Sequence, residues 1–386
     1  MLQTSLVDAN LKAWAIEQRR HFHMHPELSG QEFETAAYVK KILTEFDLPI
    51  DETYSAPNIV AFLKGTEGKK TIALRADMDA LPIIEEGENK PYISKNHGVS
   101  HACGHDGHTA ILLAVAKWMS SNRDKVKNNI KFIFQSSEEA SPSGAEQLVK
   151  EGVLDDVDSI FGIHLIQNLE MGKIGFAEGP AMASCNDFDI VIKGVGGHGG
   201  QPQDAIDPIY IASHLIQAFQ SVVSRSLHPL HAGVISFGGI QAGNSYNVIP
   251  SEARLTGTIR AMTYEAADLM YERTKQLTES ICASFGATGQ YEYIKGTPPL
   301  YNHPEACAYA KEMIAQTFGE DVFTEMDPSM GAEDYAYYLK EKTGAFINVG
   351  MQSEKSQYPH HHPKFDIDED AIPTAIELMI HLALNK

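Results

Sequence analysis

HACGHDGHTAILLAVAKWM, residues 101–119, sets three histidines, a cysteine and an aspartate on a glycine-bent loop directly before an apolar stretch. Imidazole and thiolate suit zinc, manganese, cobalt or nickel far better than calcium, so the loop reads as one wall of a transition-metal site. One loop cannot close such a site. TAILLAVAKWM reads as a helix beginning at Thr109, and it lies between two short apolar runs, TIALRADMD (71–79) and IKFIFQ (130–135). With NIVAFLKG (58–65) and SIFGIH (159–164), these runs alternate poorly between apolar and polar residues, as strands covered on both faces of a mixed or parallel sheet do. Strand, helix and strand in this order make the first part of the chain α/β. Upstream, Ser29 with Glu32 reads as a capping box opening a helix from about Gly30 to Phe46.

Near Asn186 the style changes. FDIVIKG, AGVISFGGI and ARLTGTIRAM alternate better, and two helix-like stretches accompany them, IDPIYIASHLIQAFQSVV and TYEAADLMYERTKQLTESICASF, the second stopped by Gly286. The pattern predicts a smaller α+β, ferredoxin-like unit over 186–295. After about Lys295 the α/β style resumes, with AFINVG as a strand and EDAIPTAIELMIHLALNK as a closing helix. The expected architecture is therefore a central mixed sheet flanked by helices over 1–185 and 296–386, with the second domain inserted.

Bulk properties narrow the function. At 386 residues the chain exceeds the usual span of one core, and 43% apolar residues suffice for two. A formal charge of -20 argues against a nucleic-acid or anionic-membrane partner, both of which need a basic face. The chain shows neither a membrane-length apolar run nor a signal peptide's order at its N-terminus, so a cytoplasmic enzyme is expected. Cys103, Cys185, Cys282 and Cys307 lie far apart and do not form a disulfide pattern; the last three read as small core hydrophobes.

Active sites of open α/β sheets lie at the carboxyl ends of strands, where the suspicious residues fall in turn. Arg75, Asp77 and Asp79 end one strand, QSSEE (135–139) follows another, His164 closes a third, and His360, His361 and His362 come shortly after AFINVG.

These segments resemble the M20 metallopeptidases, in particular the subgroup of aminoacylases, hippurate hydrolases and auxin-conjugate amidohydrolases. The matching motifs are HMHPELS (23–29), RADMDALP (75–82), HACGHDGH (101–108), Glu138 with Glu139, GIH (162–164), GGHGGQP (196–202), NVIP (247–250), GTIR (257–260), GAEDY (331–335) and HHPKFDIDE (361–369), in family order. The resemblance implies two divalent transition-metal ions, zinc, manganese, cobalt or nickel, held by Cys103, His105, Glu139, His164 and one histidine of 360–362. The family pattern, with its last ligand two residues before the proline, selects His361. It implies Glu138 as general base and then acid, and His198 as a donor to the tetrahedral oxyanion. Asn247 and Arg260 would bind the substrate's carboxylate end. The sequence departs from the family where Gln203 replaces a common histidine. A homodimer through the inserted lid domain is also implied.

Ordinary readings stand beside these. His97, His108, His214, His228, His231 and His303 read as surface or satisfied core residues, and His101 as a loop residue. His21, His23 and His25 read as packing at a helix end. Asp77 and Asp79 are expected to orient metal-bound imidazoles, and Glu333 with Asp334 to shape a pocket floor. QSSEE alone could be a solvated helix N-terminus, but that leaves its companion motifs unexplained. The sequence therefore predicts a metal-dependent amidohydrolase that cleaves N-acyl amino acids to a carboxylate and a free amino acid. A dipeptidase or carboxypeptidase of the same fold, and a catalytically silent ligand binder, are the competing readings.

Overall fold

In a computed structural model, which describes residues 5–87 and 90–386, the chain divides into two compact units. One comprises the chain up to Gly179 with Tyr301–Asp327 and Asp334–Lys386; the other is Pro180–Leu300 with Pro328–Glu333. The second unit is thus slightly wider than the 186–295 read from the sequence and borrows a short later segment.

The larger unit is built on a seven-stranded mixed sheet. Ile59–Leu63 runs antiparallel to Asn129–Gln135, which is parallel to Thr71–Asp77. Ser159–Glu170 and Gly344–Gln352 continue the parallel run, and Ile174–Phe176 with Phe323–Glu325 complete the far edge. Every residue of Thr71–Asp77 is buried, which is why this run lacks apolar and polar alternation. The helix His105–Ser121 is buried almost all round and packs against Ala9–Met24 and Ile372–Leu384. Each fully buried Leu or Ile in it contributes about 1.5–3 kcal/mol.

Three local expectations need correction. The central helix begins at His105, four residues before Thr109, because Gly104 takes a left-handed conformation (φ 94°) at its N-cap and turns the loop straight into the first helical turn. The Ser29/Glu32 capping box does not form. The helix there is Phe33–Glu45, and its first amides are capped by Glu27, which accepts from Glu34 N (3.2 Å) and Thr35 N (2.8 Å). Ser29 and Glu32 are drawn inward instead: Ser29 Oγ donates to Asp79 Oδ2 (2.7 Å), and Glu32 Oε1 accepts from Ser137 N (2.8 Å). Finally, His164 does not close its strand, which continues to Glu170 because it stays paired with Gly344–Gln352. Pairing with Thr71–Asp77, however, stops at Gly162, so His164 stands two residues beyond the last one paired to that neighbour.

The smaller unit has the order strand, helix, strand, strand, helix, strand. Asn186–Lys193, Gly233–Ala242, Glu252–Ala261 and Thr288–Ile294 form an antiparallel sheet under the helices Pro208–Ser221 and Tyr264–Ser284. The sheet order, fourth strand, first, third, second, is the ferredoxin-like one. Its apolar face, including Phe188, Ile190 and Leu255, packs with Leu215 and Phe219 of the helix Pro208–Ser221 in a core of its own.

Candidate metal centre

The metal-prone residues of the larger unit converge from four segments distant in sequence. Cys103, His105 and His164 place their ligand atoms within 4.8 Å of one another, and so do Cys103, Glu139 and His361. The two triads share the Cys103 sulfur. A third group, His105, Glu138 and Glu139, joins the carboxylate pair to them.

Local bonding explains how each side chain is aimed. His105 Nδ1 faces the Asp79 carbonyl (3.0 Å) and Asp79 Oδ1 (3.1 Å), and its buried Nε2 has no hydrogen-bond partner among the described residues. His164 Nδ1 donates to Leu165 O (2.9 Å), which leaves Nε2 facing Cys103 Sγ at 3.6 Å. Burial and the neighbouring His108 and His360 hold His164 well below the ordinary imidazole range, so it stays neutral, as a ligand must. Donating one ring nitrogen to an oxygen and presenting the other is the usual posture of metal-bound histidine. Burial also pushes the Cys103 thiol up to about 12, so a cation is needed to stabilise the thiolate there. An orphaned buried imidazole nitrogen beside a buried thiol and two carboxylates fits a pair of transition-metal ions.

The three consecutive histidines separate cleanly in space. His361 Nε2 lies 3.1 Å from Glu139 Oε1. His360 Nε2 donates to Leu165 O (3.0 Å), and the His362 ring stacks on Tyr358 while its Nδ1 accepts from Lys364 N (3.0 Å). His361 adopts φ 66°, a left-handed conformation that a non-glycine residue takes at a cost of about 1–2 kcal/mol, and its N–H is pinned to Ala102 O at 2.8 Å. That bond ties the late histidine loop to the HACGHDGH loop.

Carboxylates fix the surroundings. Asp77 takes His108 Nδ1 (2.7 Å) on one oxygen and Arg75 (2.6 Å) on the other; although burial opposes ionisation, His105, Arg75 and His108 together hold its carboxyl well below the usual range. His108 Nε2 accepts from Leu165 N (3.0 Å), so this histidine is a satisfied core residue. Asp106, beside His105, is gripped by Arg19 Nε (2.8 Å) and His23 Nδ1 (2.7 Å). His23 thus does more than pack at a helix end, a role hidden from the sequence because its partner lies 83 residues away. Buried His101 lies in none of these donor groups.

Glycine at 104 is a conformational requirement. With φ 94°, alanine there costs about 1–3 kcal/mol, and the strain falls on the one residue that joins Cys103 to His105. Gly104→Ala is expected to fold but to bind metal roughly tenfold more weakly or worse, measured by competition with a chromogenic chelator. Unchanged affinity would show that the loop adapts freely.

The remaining candidates lie on the smaller unit. His198, in the short strand Gly197–His198, pairs with Val248 next to Asn247. The expected GGHGG turn is therefore partly a ladder. Gly200 N donates to His198 Nδ1 (3.0 Å), which puts the proton of a neutral ring on Nε2. Asn247 Oδ1 accepts from Ser245 Oγ (3.1 Å). Arg260 is half-buried near the end of Glu252–Ala261, and Gln203 is exposed, its Nε2 donating to Asp204 Oδ2.

The profile of Peptidase family M20/M25/M40 matches residues 73–385. An N-acetylcysteine deacetylase of Bacillus subtilis (strain 168) is 40% identical over 370 residues, covering 96% of each chain. Thermostable carboxypeptidase 2 of Saccharolobus solfataricus is 35% identical over 367 residues, 94% of this chain and 92% of that one. Among solved structures, the YXEP protein of Bacillus subtilis, described as a dinuclear metal binding peptidase from the M20 family, superposes with a TM-score of 0.85 at 35% identity over 98% of both chains.

Proposed function

Since the chain belongs to peptidase family M20/M25/M40, we propose that it hydrolyses N-acyl amino acids, cleaving the linear amide to a carboxylate and a free amino acid. The observation that carries this reading is the pair of donor triads sharing Cys103, with Glu138 beside them. Cys103, His105, Glu139, His164 and His361 would hold two divalent ions, zinc, manganese, cobalt or nickel. Such ions, when bound, acidify water and polarise the scissile carbonyl. Glu138 draws the proton from the attacking water and delivers it to the leaving nitrogen. His198, with its proton on Nε2, donates to the developing oxyanion. Asn247 and Arg260 bind the α-carboxylate of the leaving amino acid.

The reading extends to a homodimer through the smaller unit, supported by Gly233–Ala242 lying at the edge of its sheet. A cytoplasmic setting is supported by a thiol among the donors, which needs reducing surroundings. Among the described residues, no helix is long and apolar enough to cross a membrane.

The similarity to a carboxypeptidase keeps peptide substrates as a second reading. A panel of N-acetyl and N-benzoyl amino acids and dipeptides, with and without chelator and metal add-back, separates the two by release of free amino acid. Expected is release from the N-acyl amino acids that chelator abolishes and metal restores. Release from dipeptides alone would transfer the assignment to the peptidase reading.

A further inference from the structure

Glu32 is fully buried, yet nothing in the chemistry above uses it. Its Oε1 accepts from Ser137 N at 2.8 Å, and its Oε2 is buried with no hydrogen-bond partner among the described residues. Burial, with Asp79 adding its charge, pushes the carboxyl up to about 7 against the opposing pull of the Ser137 N–H. A half-satisfied buried carboxyl is expensive, and as a helix cap it is redundant because Glu27 fills that role. The explanation lies in what it grips.

The turn after the strand Asn129–Gln135 carries Glu138 and Glu139, and Ser137 in it takes φ 54°, in the left-handed region. Asn58 Oδ1 holds Ser136 N (2.8 Å), Glu32 holds Ser137 N, and Asp79 Oδ2 holds Glu139 N (2.9 Å). Gly144 N closes the turn onto Ser137 O (3.0 Å), and a Cβ at Gly144 would meet Ser136 O at 1.8 Å. Two buried carboxylates therefore clamp the backbone on either side of Glu138, and the Glu32 bond bears on the strained residue. We propose that Glu32 is a positioning residue, holding the Ser137 turn in its left-handed conformation so that Glu138 points at the reacting water; this rests on Glu138 being the general base.

The test compares Glu32→Met, which fills the space without an acceptor, with Glu32→Gln, whose amide oxygen can still accept from Ser137. Expected for Glu32→Met is a kcat roughly 10–100-fold lower at nearly constant KM, with wild-type metal content. Amide hydrogen exchange in a peptide spanning 136–140 should be about tenfold faster or more, with exchange elsewhere unchanged. Glu32→Gln should recover both to within a few-fold. Should Glu32→Met not fold, Glu32→Ala supplies the same contrast. Wild-type kcat and exchange in the non-accepting variant would overturn the proposal, as would a Glu32→Gln enzyme equally impaired in both. If the wild-type protein cleaves no amide at all, the proposed function fails, while the exchange comparison still decides whether Glu32 holds the turn.

Discussion

Replacing Glu138 with glutamine will lower kcat for N-acyl amino acid hydrolysis by about 10²–10⁴-fold, leaving KM and metal content close to wild type. Glutamine keeps the size of the side chain and an oxygen that can accept from Asp334 N, which lies 3.4 Å from Glu138 Oε1. It removes the basic site that takes the proton from water and the acid that returns it to the leaving amine. Because Glu138 lies within 4.8 Å of donor atoms of His105 and Glu139, metal must be quantified by mass spectrometry beside the kinetics. A fall below tenfold would sink the base assignment. Loss of metal in parallel with activity would recast Glu138 as a ligand.

The Cys103→Ala protein will lose both bound metal and activity, with turnover at background. Cys103 is the one donor common to the two triads, so its removal weakens both ends of the site at once. The stability reading should follow by mass action: an ion at 100 times its dissociation constant stabilises the folded state by about 2.7 kcal/mol. The rise in Tm that metal add-back produces in the stripped wild type should therefore vanish in Cys103→Ala. The variant itself should fold, because the thiol is only one side chain of a well-packed loop. If a single ion is lost and the other stays bound with native affinity, the sulfur belongs to one triad and the shared arrangement is disproved.

How much of the site could be read from the chain depends on where each residue's partner lies. Cys103 and His105 are two residues apart across one glycine, so their nearness was legible from spacing and their candidacy as donors from ligand chemistry. Within 360–362 only the family resemblance selected His361, since three identical side chains differ only in where the backbone aims them; the left-handed φ of His361 and its bond to Ala102 distinguish it in space. Glu32 was actively misleading. Its spacing from Ser29 is that of a capping box, but both side chains found deeper partners, Asp79 and Ser137, the second 105 residues away. His23 was overlooked for the same reason, its carboxylate partner being Asp106.

By itself the sequence determined the things governed by local periodicity and residue chemistry: an α/β sheet with buried strands, a ferredoxin-like insertion, and a set of metal-prone side chains on and after the strands. Hydrophobic burial enforces the first two, because each run must hide its apolar face whatever its neighbours are. Only the tertiary structure decided which oxygen caps which helix, which histidine of three faces Glu139, and which carboxylates grip the turn bearing Glu138. Those choices rest on hydrogen bonds between segments far apart in the chain. A buried donor must be satisfied by whatever acceptor the fold brings within about 3 Å, and that pairing has no signature in the order of residues.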